Sequence, residues 1–351
     1  MSRRPLRLDV AIERLPLKSP FRISGYTFTE VPVAVVTLEY DGLRGRAEAA
    51  GVYYLGDAPA GMIETIEANR RAVEEGISRT ELAELLPPGG ARNALDCALW
   101  DLEAKLCGKP VWALAGLARV TPPVTTFTIG ADGPAAMAAA ASSRPDARAL
   151  KLKLSGDVPM DVERLRAVRA ARPEVWLAVD ANAGYDRGSL IEIIPVMRDT
   201  GVMLLEQPLP RGSEPDLDGL DCPILLAADE SVQGLAEIEP LAGRFDVVNI
   251  KLDKCGGLTE ALMMVSAARR LGLELMVGNM VGTSLAMAPA FVVAQHCDYV
   301  DLDGPTFLVA DREPAVRYED GRIWCPDEVW GGPGPPARSD AGRPRSQVPG
   351  R

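Results

Sequence analysis

Residues 175–207 have the sequence VWLAVDANAGYDRGSLIEIIPVMRDTGVMLLEQ, in which two short apolar runs flank one amphipathic segment. The runs VWLAVD and VMLLEQ have the length and composition of buried strands. The segment GSLIEIIPVMRDTG between them carries apolar residues at three- and four-residue steps, which predicts a helix. A strand, a helix and a second strand in this order form the repeating unit of α/β proteins.

The same alternation continues on both sides of this stretch. Short apolar runs begin at positions 124, 149, 175, 202, 224, 246, 273 and 299, with helical patterns between them. Eight βα units that close on themselves make a (β/α)₈ barrel. The sequence therefore predicts an α/β fold built on a modified (β/α)₈ TIM barrel.

The residues before and after the barrel differ in pattern. Residues 5–54 alternate like strands and are broken by a hairpin signal at Asp41-Gly42, whereas residues 60–115 have helical spacing. This order predicts an α+β capping domain over 1–118, followed by the barrel over 119–314. A hairpin is predicted within 315–326, in a C-terminal segment (315–330) expected to pack back on the cap. The Pro/Gly/Arg-rich tail, 331–351, has the composition of a disordered segment.

The composition argues against several kinds of function. The 351-residue chain has a net charge of −11 and scattered basic residues, which disfavours nucleic acid and anionic membranes as partners. It has no run of 18 apolar residues and no apolar signal core, so a cytoplasmic protein is expected. Six dispersed cysteines are expected to be reduced. The single histidine, His296, disfavours Ser-His-Asp and Cys-His catalysis and is expected to be a packing or helix-end residue.

Carboxylates end three consecutive barrel runs. Asp180 ends the third run, Glu206 the fourth and Asp229 the fifth. Neighbouring strands lie about 4.8 Å apart, so the three side chains are expected to converge at the face where barrel enzymes keep their chemistry. Three bare carboxylates would repel one another, and a hard divalent cation removes that conflict. An all-oxygen set without His or Cys favours Mg²⁺ or Mn²⁺.

Lysines end two further runs. Lys151 and Lys153 lie on the second run, and Lys251 ends the sixth, which is diametrically opposite in a ring of eight. Lys153 and Lys251 would then flank a substrate from two sides, as a 1,1-proton transfer requires. Lys151 shares a strand face with Lys153, and its charge is expected to lower the pKa of Lys153. Lys254 lies beyond the strand end and is predicted to be a loop charge.

The motifs KLKLSGD, VDANAGYD, LLEQPL, AADES, NIKLDKCGGL and GNMVGTSLAMAPA together resemble the enolase superfamily, in its muconate lactonizing subgroup. The resemblance spans nearly the whole chain. The Asp-x-Asp motif in DLDGP at 301–305 is most similar to that of the dipeptide epimerases, as in L-Ala-D/L-Glu epimerase-like proteins. It therefore implies a metal-dependent epimerisation of an L,L-dipeptide at the α-carbon of the C-terminal residue, through an enediolate.

The resemblance also implies roles for individual residues. One carboxylate from each of three strands would bind Mg²⁺, with Mn²⁺ as the alternative ion. Two lysines would remove and return the proton, and a third lysine would support the site electrostatically. In this chain the metal ligands would be Asp180, Glu206 and Asp229, the acid/base pair Lys153 and Lys251, and the supporting lysine Lys151. Asn182 and Glu230 would support the metal site from outside its ligand set. Thr128, Asp301 and Asp303 would bind the substrate, the two acids holding its free ammonium group.

The dipeptide is not defined by the resemblance. Relatives acting on Ala-Glu place a cation on an early cap loop, but Gly25 stands where an arginine would align, and Arg22 is nearby. Tyr26 and Phe28 make this loop apolar, so a hydrophobic second residue is an alternative to glutamate.

Other functions keep the same scaffold. They are N-acyl amino acid racemisation, o-succinylbenzoate synthesis and muconate cycloisomerisation, whose substrates have no free ammonium, and non-catalytic metal-dependent binding. A homo-oligomer is possible.

Overall fold

The computed structural model describes residues 5–23 and 26–334. The chain begins with an antiparallel sheet of three strands: β1 (Arg7–Ile23), β2 (Tyr26–Tyr40) and β3 (Leu43–Ala49). Asp41 and Gly42, both with positive φ, form the turn between β2 and β3, as the hairpin signal predicts.

Helices cover one face of this sheet, and α4 makes the main contact with β2 and β3. Ser78 begins α3 with a capping box, because its hydroxyl accepts from the Glu81 amide and the Glu81 side chain accepts from the Ser78 amide. The helices are α1 (Pro59–Ala68), α2 (Arg70–Glu74), α3 (Arg79–Leu85), α4 (Gly90–Cys107) and α5 (Val111–Leu114). Sheet and helices together form the predicted α+β cap.

Eight parallel strands then follow in sequential order around a nearly closed barrel, which confirms the predicted fold. Each begins within about two residues of its predicted run, because the apolar runs mark the strands that are buried on both sides. The strands are β4 (Thr126–Ile129), β5 (Ala149–Lys153), β6 (Trp176–Asp180), β7 (Val202–Glu206), β8 (Leu225–Ala228), β9 (Val247–Ile250), β10 (Glu274–Val277) and β11 (Tyr299–Val300).

Helices connect the barrel strands. They are α6 (Pro134–Ser142), α7 (Val158–Ala171), α8 (Arg187–Asp199), α9 (Ile238–Leu241), α10 (Leu252–Cys255), α11 (Leu258–Arg270) and α12 (Ser284–Ala294). Single 3₁₀ turns occur at Tyr53–Leu55, Glu214–Leu217, Leu235–Glu237 and Gly304–Phe307. Within the described residues, no helix combines the length and the apolar character needed to cross a membrane.

Side chains rather than a backbone ladder join the last barrel strand to the first. The Thr126 hydroxyl donates to Asp301 Oδ1, the Thr128 amide donates to Asp303 Oδ2 at 2.6 Å, and the Leu302 amide donates to the Thr125 hydroxyl. Two acids of the predicted substrate site therefore also form this seam of the barrel.

The predicted C-terminal hairpin is present, as β12 (Arg317–Glu319) and β13 (Arg322–Trp324). Gly321 at its turn accepts from the Thr125 amide, beside the first barrel strand. Further on, the Trp330 indole donates to the Arg46 carbonyl and the Gly331 amide donates to Asp101, both in the cap. Most of the predicted tail, 335–351, lies outside the described residues, and the domain boundaries stay a prediction.

Candidate active site

The barrel interior is apolar at its centre and charged at the carboxyl ends of its strands. A small cluster fills the centre: Ala178, Leu204, Ala227, Val247 and Met276. Alternate residues of a strand share a face, so the positions two residues further on also point inward. On four of these strands those positions carry polar side chains, namely Asp180, Glu206, Asp229 and Asn249. The inward-facing side chains therefore change from apolar to polar within two residues along these strands.

Three carboxylates meet there as predicted. Asp180 and Glu206 are paired in register on β6 and β7, and Asp229 follows β8 directly. One oxygen from each lies within 4.8 Å of the others, and all three side chains are buried. Burial and the charge of Asp180 raise the pKa of Glu206 to about 7. The donor set is oxygen only, and its mutual repulsion is what a bound divalent cation relieves, so these residues fit Mg²⁺.

The two predicted proton-transfer lysines lie at opposite ends of this row of acids. Lys153 donates to Asp180 Oδ2, at the β6 end, and Lys251 donates to Asp229 Oδ2 at 2.6 Å, beyond the β8 end. Burial alone would lower the pKa of Lys251, but the charges of Asp229 and Glu206 raise it well above its usual value. A group held between the two ammonium groups would be reached from two sides.

Lys151 lies deeper in the barrel than Lys153, on the same strand face. Its ammonium donates to Glu206 Oε2 at 2.9 Å and to Asp301 Oδ2 at 2.6 Å, and it lies 3.5 Å from Asp180 Oδ2. Burial opposes the charged form, but these carboxylates raise the pKa of Lys151 well above its usual value. Lys151 therefore ties the row of acids to the last barrel strand.

Lys254 is not a loop charge, and that prediction is wrong. The one-turn helix α10 folds its side chain back under the strand end, where it is fully buried. Its ammonium donates to the backbone carbonyls of Asp229 and Asn249 and to Asp229 Oδ1. Burial lowers the pKa of Lys254, whereas Lys251 and Lys254 together hold the pKa of Asp229 well below its usual range against the effect of burial.

The cap reaches this part of the barrel through two glycines. Gly256 and Gly257 follow α10 with φ of 82° and 114°, a region that side chains rarely adopt. A Cβ on Gly256 would lie 2.2 Å from Arg92 Nε, and one on Gly257 would lie 2.5 Å from Asp96 Oδ2. The KCGG sequence therefore lets helix α4 of the cap rest directly on the turn that carries Lys254.

Asn182 and Glu230 lie beside the acids, as predicted. Asn182 has φ of 43°, which aims its backbone amide at Asp180 Oδ1 at 2.8 Å, and its side-chain amide lies 3.4 Å from Glu230 Oε1. Burial and the charges of Asp229 and Asp180 raise the pKa of Glu230 to about 8. Asn182 Oδ1 and Glu230 Oε2 are buried without a hydrogen-bond partner. Such atoms are costly to leave unpaired and are typical of a site that binds a polar ligand or a hydrated ion.

Asp301 and Asp303 are placed differently from each other. Asp301 is held by the Lys151 ammonium and the Thr126 hydroxyl. Asp303 accepts from the Thr128 amide, and burial together with the charge of Asp301 raises its pKa to about 7. Asp301 and Asp303 both line the central cavity. Because Asp301 is already paired with the Lys151 ammonium, Asp303 is the acid more available to a cationic ligand.

The cavity is roofed by the cap and has a volume of about 210 Å³. Its barrel side is formed by the charged residues above. Its cap side is aromatic and aliphatic, with Phe28 and Val31 from β2 and Tyr53 and Tyr54 from the turn after β3. The two tyrosines were not predicted as site residues, because their approach to the barrel depends on how the cap docks.

The two cap residues considered for substrate carboxylate binding have different outcomes. Arg22 forms an ion pair with Asp132 at 3.0 Å, both side chains are about half exposed, and neither residue lines the cavity. Gly25 lies outside the described residues. His296 follows the end of α12, as predicted for a helix-end residue, and all six cysteines are free thiols.

Comparisons with known proteins agree with this geometry. Residues 7–116 match the mandelate racemase/muconate lactonizing enzyme N-terminal domain, and residues 135–334 match the enolase C-terminal domain-like family. The L-Ala-D/L-Glu epimerase of Escherichia coli K12 is 39% identical over 311 residues, which cover 89% of this chain and 97% of that protein. An N-acetyl-D-glutamate racemase of Pseudoalteromonas is 40% identical over 75% of this chain and 82% of its own.

Solved structures give the same assignment. An enolase family member from Agrobacterium tumefaciens with homology to dipeptide epimerases, solved with sodium and L-Ala-L-Glu, has a TM-score of 0.89 at 40% identity and covers 93% of this chain and 100% of its own. The dipeptide epimerase of Methylococcus capsulatus, solved with Mg and L-Arg-D-Lys, has a TM-score of 0.85 at 33% identity, with coverage of 91% and 96%. The chain therefore belongs to the mandelate racemase/muconate lactonizing enzyme family of the enolase superfamily.

Proposed function

We propose that this protein is a Mg²⁺-dependent dipeptide epimerase, an isomerase that inverts the α-carbon of the C-terminal residue of an L,L-dipeptide. The observation that carries the proposal is the row of Asp180, Glu206 and Asp229 with a lysine at each end. This arrangement provides one metal site and two proton-transfer groups on opposite sides of it, which a one-carbon inversion requires. Solved relatives that contain Mg and a dipeptide support the same reaction.

In this mechanism Asp180, Glu206 and Asp229 would hold Mg²⁺, and the bound cation would offset the negative charge that develops on the substrate carboxylate. Lys153 and Lys251 act on opposite faces of the α-carbon: one removes the proton and the other returns a proton to the opposite face. Lys151 supports the site electrostatically, because its buried ammonium offsets part of the negative charge of Glu206 and Asp301. Asn182 and Glu230 support the metal site from outside its ligand set.

The free ammonium of the first residue is assigned to the Asp-x-Asp motif. Asp303 makes the direct ion pair, with Thr128 fixing the position of its carboxylate. Asp301 contributes its charge, while its oxygens remain bonded to Lys151 and Thr126. A cytoplasmic location and a homo-oligomer remain predictions from the sequence.

N-acyl amino acid racemisation is the second candidate, favoured by the similarity to an N-acetyl-D-glutamate racemase. Its substrate has the same α-proton next to a carboxylate but carries no ammonium group. The buried carboxylate of Asp303, which within the described chain accepts only from the Thr128 amide, would then face an uncharged acyl group and have no cationic partner. Muconate cycloisomerisation and o-succinylbenzoate synthesis meet the same objection. A non-catalytic binding protein would not need both lysines in place at the ends of the metal row.

The test is incubation of the protein with Mg²⁺ and a dipeptide library in D₂O, followed by mass spectrometry. Deuterium is expected at the C-terminal α-carbon together with L,D products, and neither is expected when EDTA replaces Mg²⁺. Glu206→Gln removes a metal ligand and is expected to abolish exchange, whereas Glu239→Gln, at an exposed position of α9, is the matched control. Exchange of N-acyl amino acids but of no free dipeptide would replace the proposal by the racemase.

A further inference from the structure

We propose that the C-terminal residue of the substrate carries an uncharged apolar side chain that packs against an aromatic wall formed by Phe28, Tyr53 and Tyr54. This inference rests on the proposed function and specifies its substrate class. It differs from the Ala-Glu specificity named for the Escherichia coli relative.

The orientation of the substrate follows from the charges of the site. With Mg²⁺ held by Asp180, Glu206 and Asp229, the C-terminal carboxylate would lie at the metal, and the first residue would extend toward Asp303 at the seam of the barrel. The α-proton points to either Lys153 or Lys251. Three of the four α-carbon substituents are thereby assigned to the barrel, so the side chain faces the remaining boundary of the cavity, which is the cap.

The cap side at this position is a row of aromatic rings. The Phe28 and Tyr53 rings meet edge to face at 5.4 Å between centroids, and the Tyr53 and Tyr54 rings at 5.2 Å. Phe28, Tyr53 and Tyr54 line the same cavity as Asp229, Glu230 and Lys251, so this row borders the space beside the predicted metal site. A second aromatic pair, Phe21 and Phe307, also lines this cavity, with 4.7 Å between the ring centroids.

This clustering is unusual for the chain. Aromatic residues are only 5% of it, yet three of its six phenylalanines and two of its seven tyrosines line the one cavity. Such rings bury large apolar areas and pair favourably with other apolar side chains.

The cavity also lacks a cation for a second carboxylate. Among the described lining residues the cations are Lys151, Lys153 and Lys251, and each is already bonded to a carboxylate of the barrel. Arg22 is the one basic residue in the sequence from 20 to 32, and it is paired with Asp132 outside the cavity.

A glutamate side chain would therefore be buried among acids and neutral rings, where the Tyr54 hydroxyl can donate a hydrogen bond but supplies no positive charge. Asp57, Glu230, Asp301 and Asp303 also line the cavity, so its potential opposes a further negative charge. Burying an unpaired carboxylate is strongly unfavourable, whereas an apolar side chain is transferred from water to a complementary surface.

The experiment compares kcat/KM for L-Ala-L-Leu, L-Ala-L-Phe, L-Ala-L-Glu and L-Ala-L-Lys with the Mg²⁺-loaded full chain, measured by α-deuterium incorporation. We expect the first two to exceed L-Ala-L-Glu by about tenfold or more. A preference for L-Ala-L-Glu or L-Ala-L-Lys would overturn this inference and leave the epimerase standing. Absence of exchange with every dipeptide would instead overturn the proposed function.

A variant tests the aromatic wall directly. Phe28→Arg places a cation on the wall and is expected to raise the ratio of L-Ala-L-Glu to L-Ala-L-Leu turnover by about tenfold or more. The matched control is Ile12→Arg, at an exposed position of the cap strand β1, which should leave the ratio unchanged. If Phe28→Arg kept its circular dichroism spectrum and turned over one dipeptide but left the ratio unchanged, the aromatic wall would not select the substrate.

Discussion

Two buried groups of charges lie at the junction of cap and barrel, and they differ in how completely they are paired. The first, the Glu48 clamp, consists of Glu48, Thr283 and Arg312. Glu48 on β3 accepts from the Thr283 amide and hydroxyl, both at 2.7 Å, and from Arg312 Nε and Nη2. Both of its oxygens are thus occupied by partners from the barrel.

The second group is the candidate active site, where pairing is incomplete. Seven buried side-chain atoms in the described chain have no hydrogen-bond partner, and four of them belong to the site: Tyr54 Oη, Asn182 Oδ1, Glu230 Oε2 and Asn249 Oδ1. A saturated cluster stabilises the fold, whereas unpaired polar atoms are retained for a ligand. Burial of charge alone therefore does not distinguish the two groups, but the completeness of pairing does.

The largest effect is expected from breaking the site. Lys251→Ala and Lys153→Ala should each lower epimerisation by about 10²–10⁴-fold, because each removes one of two proton-transfer groups. Since the lysines serve opposite faces, each variant should still exchange the α-proton of one diastereomer, and the two variants should retain opposite ones. NMR of L,L- and L,D-dipeptides in D₂O measures this. Lys109→Ala, at an exposed position of the cap, is the control.

If both variants retained exchange of the same diastereomer, the assignment of the lysines to opposite faces would be wrong. Loss of exchange with Lys109→Ala would point instead to general damage to the preparation.

The next effect comes from breaking the clamp. Glu48→Ala leaves the Arg312 guanidinium without its buried partner and should lower the free energy of unfolding by about 3–5 kcal/mol. Glu13, the other carboxylate paired with Arg312, is 41% exposed, so Glu13→Ala should cost less than about 1 kcal/mol. Urea unfolding of both variants measures the difference. Equal losses would mean that saturation of Glu48 adds nothing to stability.

Lys254 has features of both groups. Its buried ammonium is fully paired, as in the Glu48 clamp, but one of its partners is the predicted metal ligand Asp229. Lys254→Met leaves the Asp229 carboxylate short of one partner and should cost about 3 kcal/mol without Mg²⁺. Added Mg²⁺ should restore part of this loss, because the cation neutralises the same carboxylate.

The control is Lys105→Met, which removes the partner of the buried Asp101 in the cap, 2.7 Å away. Its loss should be the same with and without Mg²⁺ in urea unfolding. If Mg²⁺ raised the free energy of unfolding of both variants equally, the loss in Lys254→Met would be unrelated to the metal site.

The smallest effect concerns a second saturated acid of the cap. Asp96 accepts from the Thr259 amide and hydroxyl, and burial, only partly offset by these bonds, raises its pKa to about 6. A pKa above the unfolded value means that the folded state takes up a proton first, so stability rises as pH falls. Between pH 7 and 5 the wild type should gain about 1 kcal/mol relative to Asp96→Asn. Parallel pH profiles of unfolding would contradict this.

The sequence predicts what depends on local pattern. The period of the apolar runs locates the barrel strands, and their polar ends identify the acids and lysines, because strand alternation and barrel closure place such residues together. Lys254 is missed because its fate depends on a single helical turn. Two features of the sequence could have indicated this turn: the three-residue spacing between Lys251 and Lys254, and Gly256, which ends the helix in a left-handed conformation.

The approach of Tyr53 and Tyr54 has no such signal. Their turn follows a cap strand, and its contact with the site depends on the docking of two separately built domains. The bonds of Thr126 and Thr128 to the Asp-x-Asp motif join residues 175 positions apart, so they too depend on the closed barrel.

That seam has a consequence for how new specificities could arise in this scaffold. Asp301 and Asp303 are the proposed ammonium-binding acids and also fasten the last barrel strand to the first, so replacing them is expected to loosen the barrel as well as alter recognition. The aromatic residues of the cap line the cavity but do not join the barrel strands. Evolution or engineering of this enzyme toward other dipeptides is therefore freer at the cap, whereas the end that holds the first residue is constrained by the integrity of the fold.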